Sequence, residues 1–224
     1  MKIIKRYLLI SFFIVLPLAS FPQDTDFGIW YSLNAGLKLI GQLELDINPT
    51  VRTFQNGSKI EEAFVDAGLT YKVNKYLSLS AFYRITENLE DDSSYYPQHK
   101  IFFDLKGSLS PGDLSLSGRL RYQRRYKTYI EDEEDEIPDS HIRMRLKAAY
   151  DIPSFKFNPY ISAELFCPVF KEYDRLADKK RYILGVEYRF NKKHSFELEY
   201  LFQRDYHPDL NDMHIIQINY NIKF

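Results

Sequence analysis

The last nine residues of the chain alternate between apolar and polar side chains. Ile216, Ile218, Tyr220, Ile222 and Phe224 occupy one set of alternate positions, and polar residues occupy the other. Because side chains of a strand point alternately to its two faces, this pattern predicts a strand with one apolar and one polar face. The strand ends on an aromatic residue, whereas the termini of most soluble domains are poorly ordered.

The same alternation continues along the whole chain from Phe27, which predicts an all-β fold. The predicted strands have about 11–15 residues, whereas strands of soluble sheets usually have about 5–6. A tilted strand needs about 9–11 residues to cross a membrane. Short turns alternate with longer polar loops, as they do in outer-membrane barrels. We therefore predict a closed antiparallel transmembrane β-barrel of about 10–12 strands.

The number of strands conflicts with the usual rule for such barrels. Eleven alternating segments are visible, whereas single-chain bacterial barrels have an even number of strands. Three interpretations remain: residues 24–38 thread or line the lumen, one segment is misassigned, or a short strand lies near the N-terminus. We expect ten or twelve strands.

The first 23 residues predict a secretory signal peptide. Lys2, Lys5 and Arg6 precede an apolar run from Tyr7 to Leu18, which is shorter than the roughly 20 residues of a transmembrane helix. We assign residues 1–23 to a cleaved signal peptide and residues 24–224 to the barrel. Export and barrel together predict the cell outer membrane as the location.

Four segments carry a resemblance to a known family. They are Asp26–Trp30, Asp66–Lys72, Tyr150–Pro153 and Leu184–Tyr188. They resemble the DUF2490 family, a set of uncharacterised outer-membrane β-barrel proteins of Bacteroidetes-type bacteria. The resemblance extends over the mature chain; it implies location and fold, and it implies no activity.

The C-terminal strand resembles the closing strand of bacterial outer-membrane barrels, which the barrel-assembly machinery reads as an insertion signal. We expect Tyr220, Ile222 and Phe224 to carry that signal. The expected partners are therefore outer-membrane lipid and the assembly machinery, and a small solute in the lumen is a further candidate. The net charge of −1 gives no electrostatic case for binding nucleic acid.

The polar face of the predicted strands carries many charges. Folding the chain about its short turns sets Asp104 opposite Arg119, Asp66 opposite Arg84, and Arg143 opposite Glu164. The predicted lumen charge network is Asp66, Arg84, Asp104, Arg119, Arg121, Arg143, Arg145 and Glu164. Two interpretations follow: a structural lumen closed by ion pairs, or a narrow channel whose basic wall selects anionic solutes.

Other chemistry is weaker in the sequence. Histidines and aspartates near the predicted outer rim could serve an enzyme, and His207, Asp209, Asp212 and His214 could bind a metal, but neither set has diagnostic spacing. The acidic run 131–136 is typical of a solvated loop. A soluble barrel that binds an apolar ligand is a third alternative. We expect a non-enzymatic protein without catalytic residues, metal or cofactor.

Overall fold

The computed structural model describes residues 25–90, 92–130, 137–169, 176–206 and 210–224, and the predicted signal peptide lies outside them. The described residues form eleven strands. These are β1 Asp26–Lys38, β2 Leu43–Phe54, β3 Lys59–Lys72, β4 Leu77–Leu89, β5 Tyr95–Leu109, β6 Leu114–Lys127, β7 Asp139–Tyr150, β8 Phe157–Val169, β9 Lys179–Arg189, β10 His194–Asp205 and β11 Asn211–Lys223. Their lengths run from 11 to 15 residues. Among these residues no helix is long and apolar enough to cross a membrane.

The eleven strands close into one barrel, which confirms the predicted closed all-β fold. Strands adjacent in sequence pair antiparallel throughout, from β1–β2 to β10–β11. The barrel closes where β1 pairs parallel with β11. The expectation of ten or twelve strands, all antiparallel, is therefore wrong.

The odd number follows from β1, which forms part of the wall. Its parallel register with β11 runs from Asp26 opposite Met213 to Gly36 opposite Lys223, so residues 26–38 form a strand of the wall and do not thread the lumen. Successive antiparallel strands reverse direction, so the first and last of eleven point the same way. Closure then requires one parallel ladder, with its slanted hydrogen bonds.

The two ends of the barrel differ in their connections. At one end, here called the turn end, the connections have four to six residues: 39–42, 73–76, 110–113, 151–156 and 190–193. At the other, the loop end, they have four to eleven: 55–58, 90–94, 128–138, 170–178 and 206–210. The acidic run 131–136 belongs to one of these loops and lies outside the described residues. The difference between the two ends is the one usual in outer-membrane barrels.

Asparagine side chains close two connections at the turn end. Asn74 Oδ1 accepts hydrogen bonds from the backbone N–H groups of Tyr76 (2.8 Å) and Leu77 (3.0 Å). Asn191 Oδ1 does the same for Lys193 (2.8 Å) and His194 (3.0 Å). Asparagine favours such turns because its side chain satisfies backbone groups that would otherwise lack a partner.

The apolar face of every strand points outward and the polar face points into the barrel. Large apolar side chains such as Leu146 (72% exposed) and Ile161 (60%) form the outer wall, whereas Glu164 (3%) and Arg181 (8%) point inward and are buried. A soluble barrel with an apolar ligand cavity would need the opposite orientation. The arrangement is that of a lipid-facing wall around a polar lumen.

The C-terminal strand β11 is part of the wall and pairs there with β1. Tyr220 lies on the outer face and is 37% exposed. The backbone N–H of Phe224 donates to the carbonyl oxygen of Gly36 in β1 at 2.8 Å, and the Phe224 side chain stays 66% exposed. The predicted insertion residues therefore lie at the seam where the barrel closes.

Candidate functional site

The lumen contains two polar cavities, one at each end. The loop-side cavity has a volume of about 560 Å³ and the turn-side cavity about 600 Å³. Five lumen residues line both: Trp30, Arg52, Arg84, Arg143 and Arg181. The two cavities therefore meet at a level formed mainly by arginines.

The lining of the two cavities is rich in both charges, with a cationic excess. Fifteen Lys and Arg side chains and twelve Asp and Glu side chains line them, a net charge of +3. The whole chain has a net charge of −1. The lumen is therefore more positive than the composition of the chain suggests, and a positive pore lining favours anions.

A belt of stacked arginines and aromatic rings surrounds the lumen where the cavities meet. Its members, one from each strand β1–β9 and here called the arginine–aromatic belt, are Trp30, Arg52, Phe64, Arg84, Phe102, Arg121, Arg143, Phe166 and Arg181. The guanidinium carbon of Arg84 lies 3.4 Å from the ring centre of Phe64. Those of Arg121 and Arg143 lie 3.9 Å and 4.1 Å from Phe102 and Phe166.

Trp30 joins the two ends of the belt, because arginines of both β2 and β9 lie near its ring. The guanidinium carbon of Arg52 lies 3.9 Å from the Trp30 ring centre, and that of Arg181 lies 5.0 Å away. Beneath Trp30, a buried apolar cluster includes Leu201 and Ile215. Stacking on aromatic faces fixes the position of the guanidinium groups, so the belt marks the level at which the two cavities meet.

Carboxylates neutralise part of the belt. Arg84 donates Nε and Nη2 to the two oxygens of Asp66 at 2.6 Å and 2.8 Å. Arg121 binds Asp104 in the same two-pronged way, with both distances 2.6 Å. Such paired contacts are the strongest form of arginine–carboxylate hydrogen bonding.

The remaining arginines of the belt differ in their partners. Arg52 pairs with Glu62, and Arg143 donates Nη2 to both oxygens of Glu164 at 3.0 Å. Arg181 donates Nε to Gln203 Oε1 at 2.7 Å. Among the described residues no carboxylate lies within ion-pair distance of Arg181, so Arg181 is the one arginine of the belt without a direct ion pair.

The structure places the residues predicted for the lumen on the inner face, but not all in the predicted pairs. Asp66 lies directly opposite Arg84, as the fold about residues 74–76 predicts. Asp104 lies opposite Arg121, and Arg119 lies opposite Lys106. Pro111 O accepts from Leu114 N at 3.3 Å, so the turn is centred one residue later than predicted and each partner shifts by two.

The third predicted pair is also displaced. Arg145, not Arg143, lies directly opposite Glu164. The first pair of the β7–β8 ladder is Ala149–Tyr160, because Phe157 and the next two residues pair only with β9. Arg143 nevertheless reaches Glu164 diagonally, and Arg119 Nη2 donates to the same carboxylate at 2.5 Å.

A tyrosine and two glutamates form a second polar group in the turn-side half of the lumen. Tyr160 Oη lies 2.6 Å from Glu197 Oε2 and 2.5 Å from Glu199 Oε1. Lys147 Nζ lies 3.4 Å from the centre of the tyrosine ring. The ring occupies the space above Gly185, where a Cβ atom would overlap it. Glycine is therefore needed at that position.

Sequence reasoning missed the arginine–aromatic belt. Trp30, Phe64, Phe102 and Phe166 fall on the polar face of their strands, which is unusual for apolar rings in a barrel whose interior is polar. That mismatch was the available signal. The mismatch identifies aromatic side chains that point into the barrel. Their alternation with arginines around the lumen cannot be predicted from it, because that alternation depends on the register between strands.

The histidines considered for a rim enzyme have other partners. His99 and His214 each hydrogen-bond a tyrosine hydroxyl, those of Tyr83 and Tyr200 respectively. His141 Nε2 lies 2.7 Å from Asp178 Oδ2. His207 and Asp209 of the candidate metal site lie outside the described residues. Among the residues that are described, no group of three His, Cys, Asp or Glu side chains is placed to bind a metal ion.

Two solved structures share the barrel fold. One is described as a bacterial polysaccharide outer membrane secretin, with a TM-score of 0.55 and 11% identity over 83% of this chain and 77% of that one. The other is the NanC porin, with a TM-score of 0.54 and 14% identity over 89% of this chain and 99% of that one. No curated protein sequence matches the chain.

The family comparison agrees with the resemblance seen in the strand segments. Residues 27–214 match the family model described as "Protein of unknown function (DUF2490)". The match runs from the start of β1 into β11 and covers most of the chain. The chain therefore belongs to the DUF2490 family.

Proposed function

We propose that this protein is a non-enzymatic channel of the outer membrane that conducts small solutes and favours anions. The observation that carries the proposal is the pair of polar cavities that meet at the arginine–aromatic belt. Their combined lining carries an excess of three cations. A lumen built only for stability would gain nothing from uncompensated charge.

The placement of charge supports conduction over a purely structural lumen. Among the described residues, Arg181 has no carboxylate within ion-pair distance where the two cavities meet, and Lys106 and Arg145 have none further towards the turn end. Positive groups along a pore lower the electrostatic barrier for anions and raise it for cations. The apolar outer wall would place the barrel in lipid, and the barrel folds of a porin and an outer membrane secretin are consistent with that location.

The test is electrical recording from the purified protein in planar lipid bilayers. We expect discrete conductance steps in potassium chloride and, under a salt gradient, a reversal potential of the sign given by chloride preference. Removing this charge in Arg181→Gln is expected to lower the chloride preference, because the charge lies where the two cavities meet.

Lys180→Gln is the matched control. Lys180 is adjacent in sequence, so it points to the other face of β9, where its ammonium lies 5.0 Å from the ring centre of Tyr206. The control removes the same charge outside the lumen and is expected to leave the reversal potential unchanged. Absence of any conductance steps would favour the structural barrel, and a preference for potassium would refute anion selectivity.

A further inference from the structure

Three cationic side chains face each other on adjacent strands of the turn-side cavity. Lys106 of β5 lies directly opposite Arg119 of β6. Arg119 in turn lies directly opposite Arg145 of β7. All three line the lumen, and we call them the cationic row. Like charges directly opposite each other destabilise a sheet, so the row needs an explanation.

The protein supplies little negative charge to the row. Among the described residues, the ammonium group of Lys106 has neither a carboxylate within ion-pair distance nor a hydrogen-bond partner. Arg145 has a single hydrogen bond, from Nε to Ser162 Oγ at 3.3 Å. Glu164 pairs with Arg119 but also with Arg143, so one carboxylate serves two guanidinium groups. Arg119 Nε is buried without a partner.

A second row of like charges shows what compensation looks like. In the loop-side half, Lys100 lies between Arg84 and Arg125 in the same direct register. There each arginine has its own carboxylate, Asp66 for Arg84 and Asp139 for Arg125. In the cationic row, among the described residues, only Arg119 has a carboxylate within ion-pair distance, and Arg119 shares that carboxylate with Arg143.

The row is accessible from the lumen and suitably spaced for an anionic group. Lys106 is exposed to the cavity, and Arg119 and Arg145 are half-buried. Adjacent strands lie about 4.7–4.9 Å apart, so the outer two members are separated by about 10 Å at the backbone. Their long side chains can therefore converge on one group, and guanidinium groups match the geometry of carboxylate and phosphate oxygens.

We propose that the cationic row binds an oxyanion, the carboxylate or phosphate group of a small solute in the lumen. The inference rests on the proposed channel function, because the solute would reach the row through the lumen. It adds a particular site and a chemical class of solute to the general preference for anions. Oxyanion binding would relieve the repulsion that the row otherwise carries.

The test measures binding to the purified, folded protein in detergent, where conduction plays no part. Inorganic phosphate and acetate are titrated separately by calorimetry at constant ionic strength, so the two arms distinguish phosphate from carboxylate. We expect Lys106→Gln and Arg145→Gln each to raise the dissociation constant of the bound probe about tenfold, the effect of losing one charge-assisted contact. Lys106→Arg should bind like the wild type.

Lys72→Gln is the matched control, since Lys72 is a turn-side lumen lysine that pairs with Glu44 at 2.5 Å. It removes the same charge away from the row and should leave binding within about twofold. Equal weakening by the control would overturn the inference in favour of general lumen charge. Binding by Lys106→Gln and Arg145→Gln at wild-type affinity would also overturn it.

A measurement on the wild type guards against variants that fail to fold. Phosphate or acetate should raise its unfolding temperature more than chloride at the same ionic strength, because a ligand that binds only the folded state stabilises it. No difference between these anions and chloride would overturn the inference. Conductance without oxyanion binding would refute the oxyanion site and leave the channel proposal unaffected. Oxyanion binding without conductance would refute the channel proposal and support the oxyanion site.

Discussion

The ion pair between Asp66 and Arg84 provides the sharpest test of how the lumen is stabilised. Both side chains are largely buried, with 10% and 8% of their surface exposed, and two hydrogen bonds join them. We predict that Asp66→Ala and Arg84→Ala each lower the free energy of unfolding, because each leaves its partner as a largely buried, unpaired charge in the lumen.

The magnitude follows from burial. Breaking a pair from which water is excluded costs about 3–5 kcal/mol, and an exposed pair contributes about 0–1 kcal/mol. Asp66 and Arg84 also border the turn-side cavity, so we expect losses of about 2–4 kcal/mol. Arg84→Ala should be the more damaging, since it also removes the stack on Phe64, worth about 0.5–2 kcal/mol.

The double mutant separates pairing from the other losses. We expect it to recover at least about 1.5 kcal/mol relative to the sum of the single mutants, since neither charge is then left alone. Unfolding in urea can be followed by the emission of Trp30, the only tryptophan in the chain. The matched control is the Glu44–Lys72 pair, whose side chains are 15% and 59% exposed, and its coupling should stay below about 1 kcal/mol. The reasoning is refuted if the Asp66–Arg84 coupling does not exceed that of the control.

Three other predictions concern the wall. In a cysteine-free background, Leu120→Cys should react with a lipid-soluble label and Arg121→Cys should not; the reverse result would contradict the assignment of faces. Deleting Phe224 should reduce the fraction of heat-modifiable folded barrel in membranes while Phe224→Tyr preserves it, and normal assembly of the deletion would exclude an insertion role. Gly185→Val should lower the free energy of unfolding by about 1–3 kcal/mol, because the new side chain would overlap the ring of Tyr160. Gly107→Val should have a smaller effect, since the space around its Cβ is open. Equal losses in the two variants would show that overlap is not the cause.

The faces of the strands could be predicted from the sequence because period-two alternation depends only on local backbone geometry. Leu116, Leu120, Val186 and Leu198 lie on the outer face, and Ser117, Arg121, Glu187 and Glu197 on the inner face, as the alternation predicts. Register between strands is harder, because it depends on the length and shape of each turn. A displacement by two residues keeps every side chain on its predicted face and still changes its partner, as Asp104 shows.

The odd strand number could not be predicted, since it depends on a contact between the two ends of the chain. The alternation of residues 26–38 is that of an ordinary strand. Only the rule that bacterial barrels have an even number of strands argues against a wall strand there. Its partner, β11, lies almost two hundred residues away in sequence. Asn34 Nδ2 donates to Asn221 Oδ1 at 2.8 Å across this seam, but two asparagines at such a distance give no signal in a single sequence.

The parallel seam also determines at which end of the barrel β1 starts and at which end β11 stops. Asp26 lies at the loop end, where its carboxylate accepts hydrogen bonds from the backbone N–H groups of Gln55 (2.9 Å) and Asn56 (3.0 Å). Phe224 lies at the turn end, where its backbone N–H donates a hydrogen bond to the carbonyl oxygen of Gly36. An even-stranded barrel would bring both ends of its strand series to the same side. In the eleven-stranded barrel the ladder between β1 and β11 joins the first strand to the last, so we expect this seam to be the last ladder to form. Asn34, whose side chain bonds Asn221 across this ladder, should therefore affect the completeness of closure more than the formation of the other ten ladders.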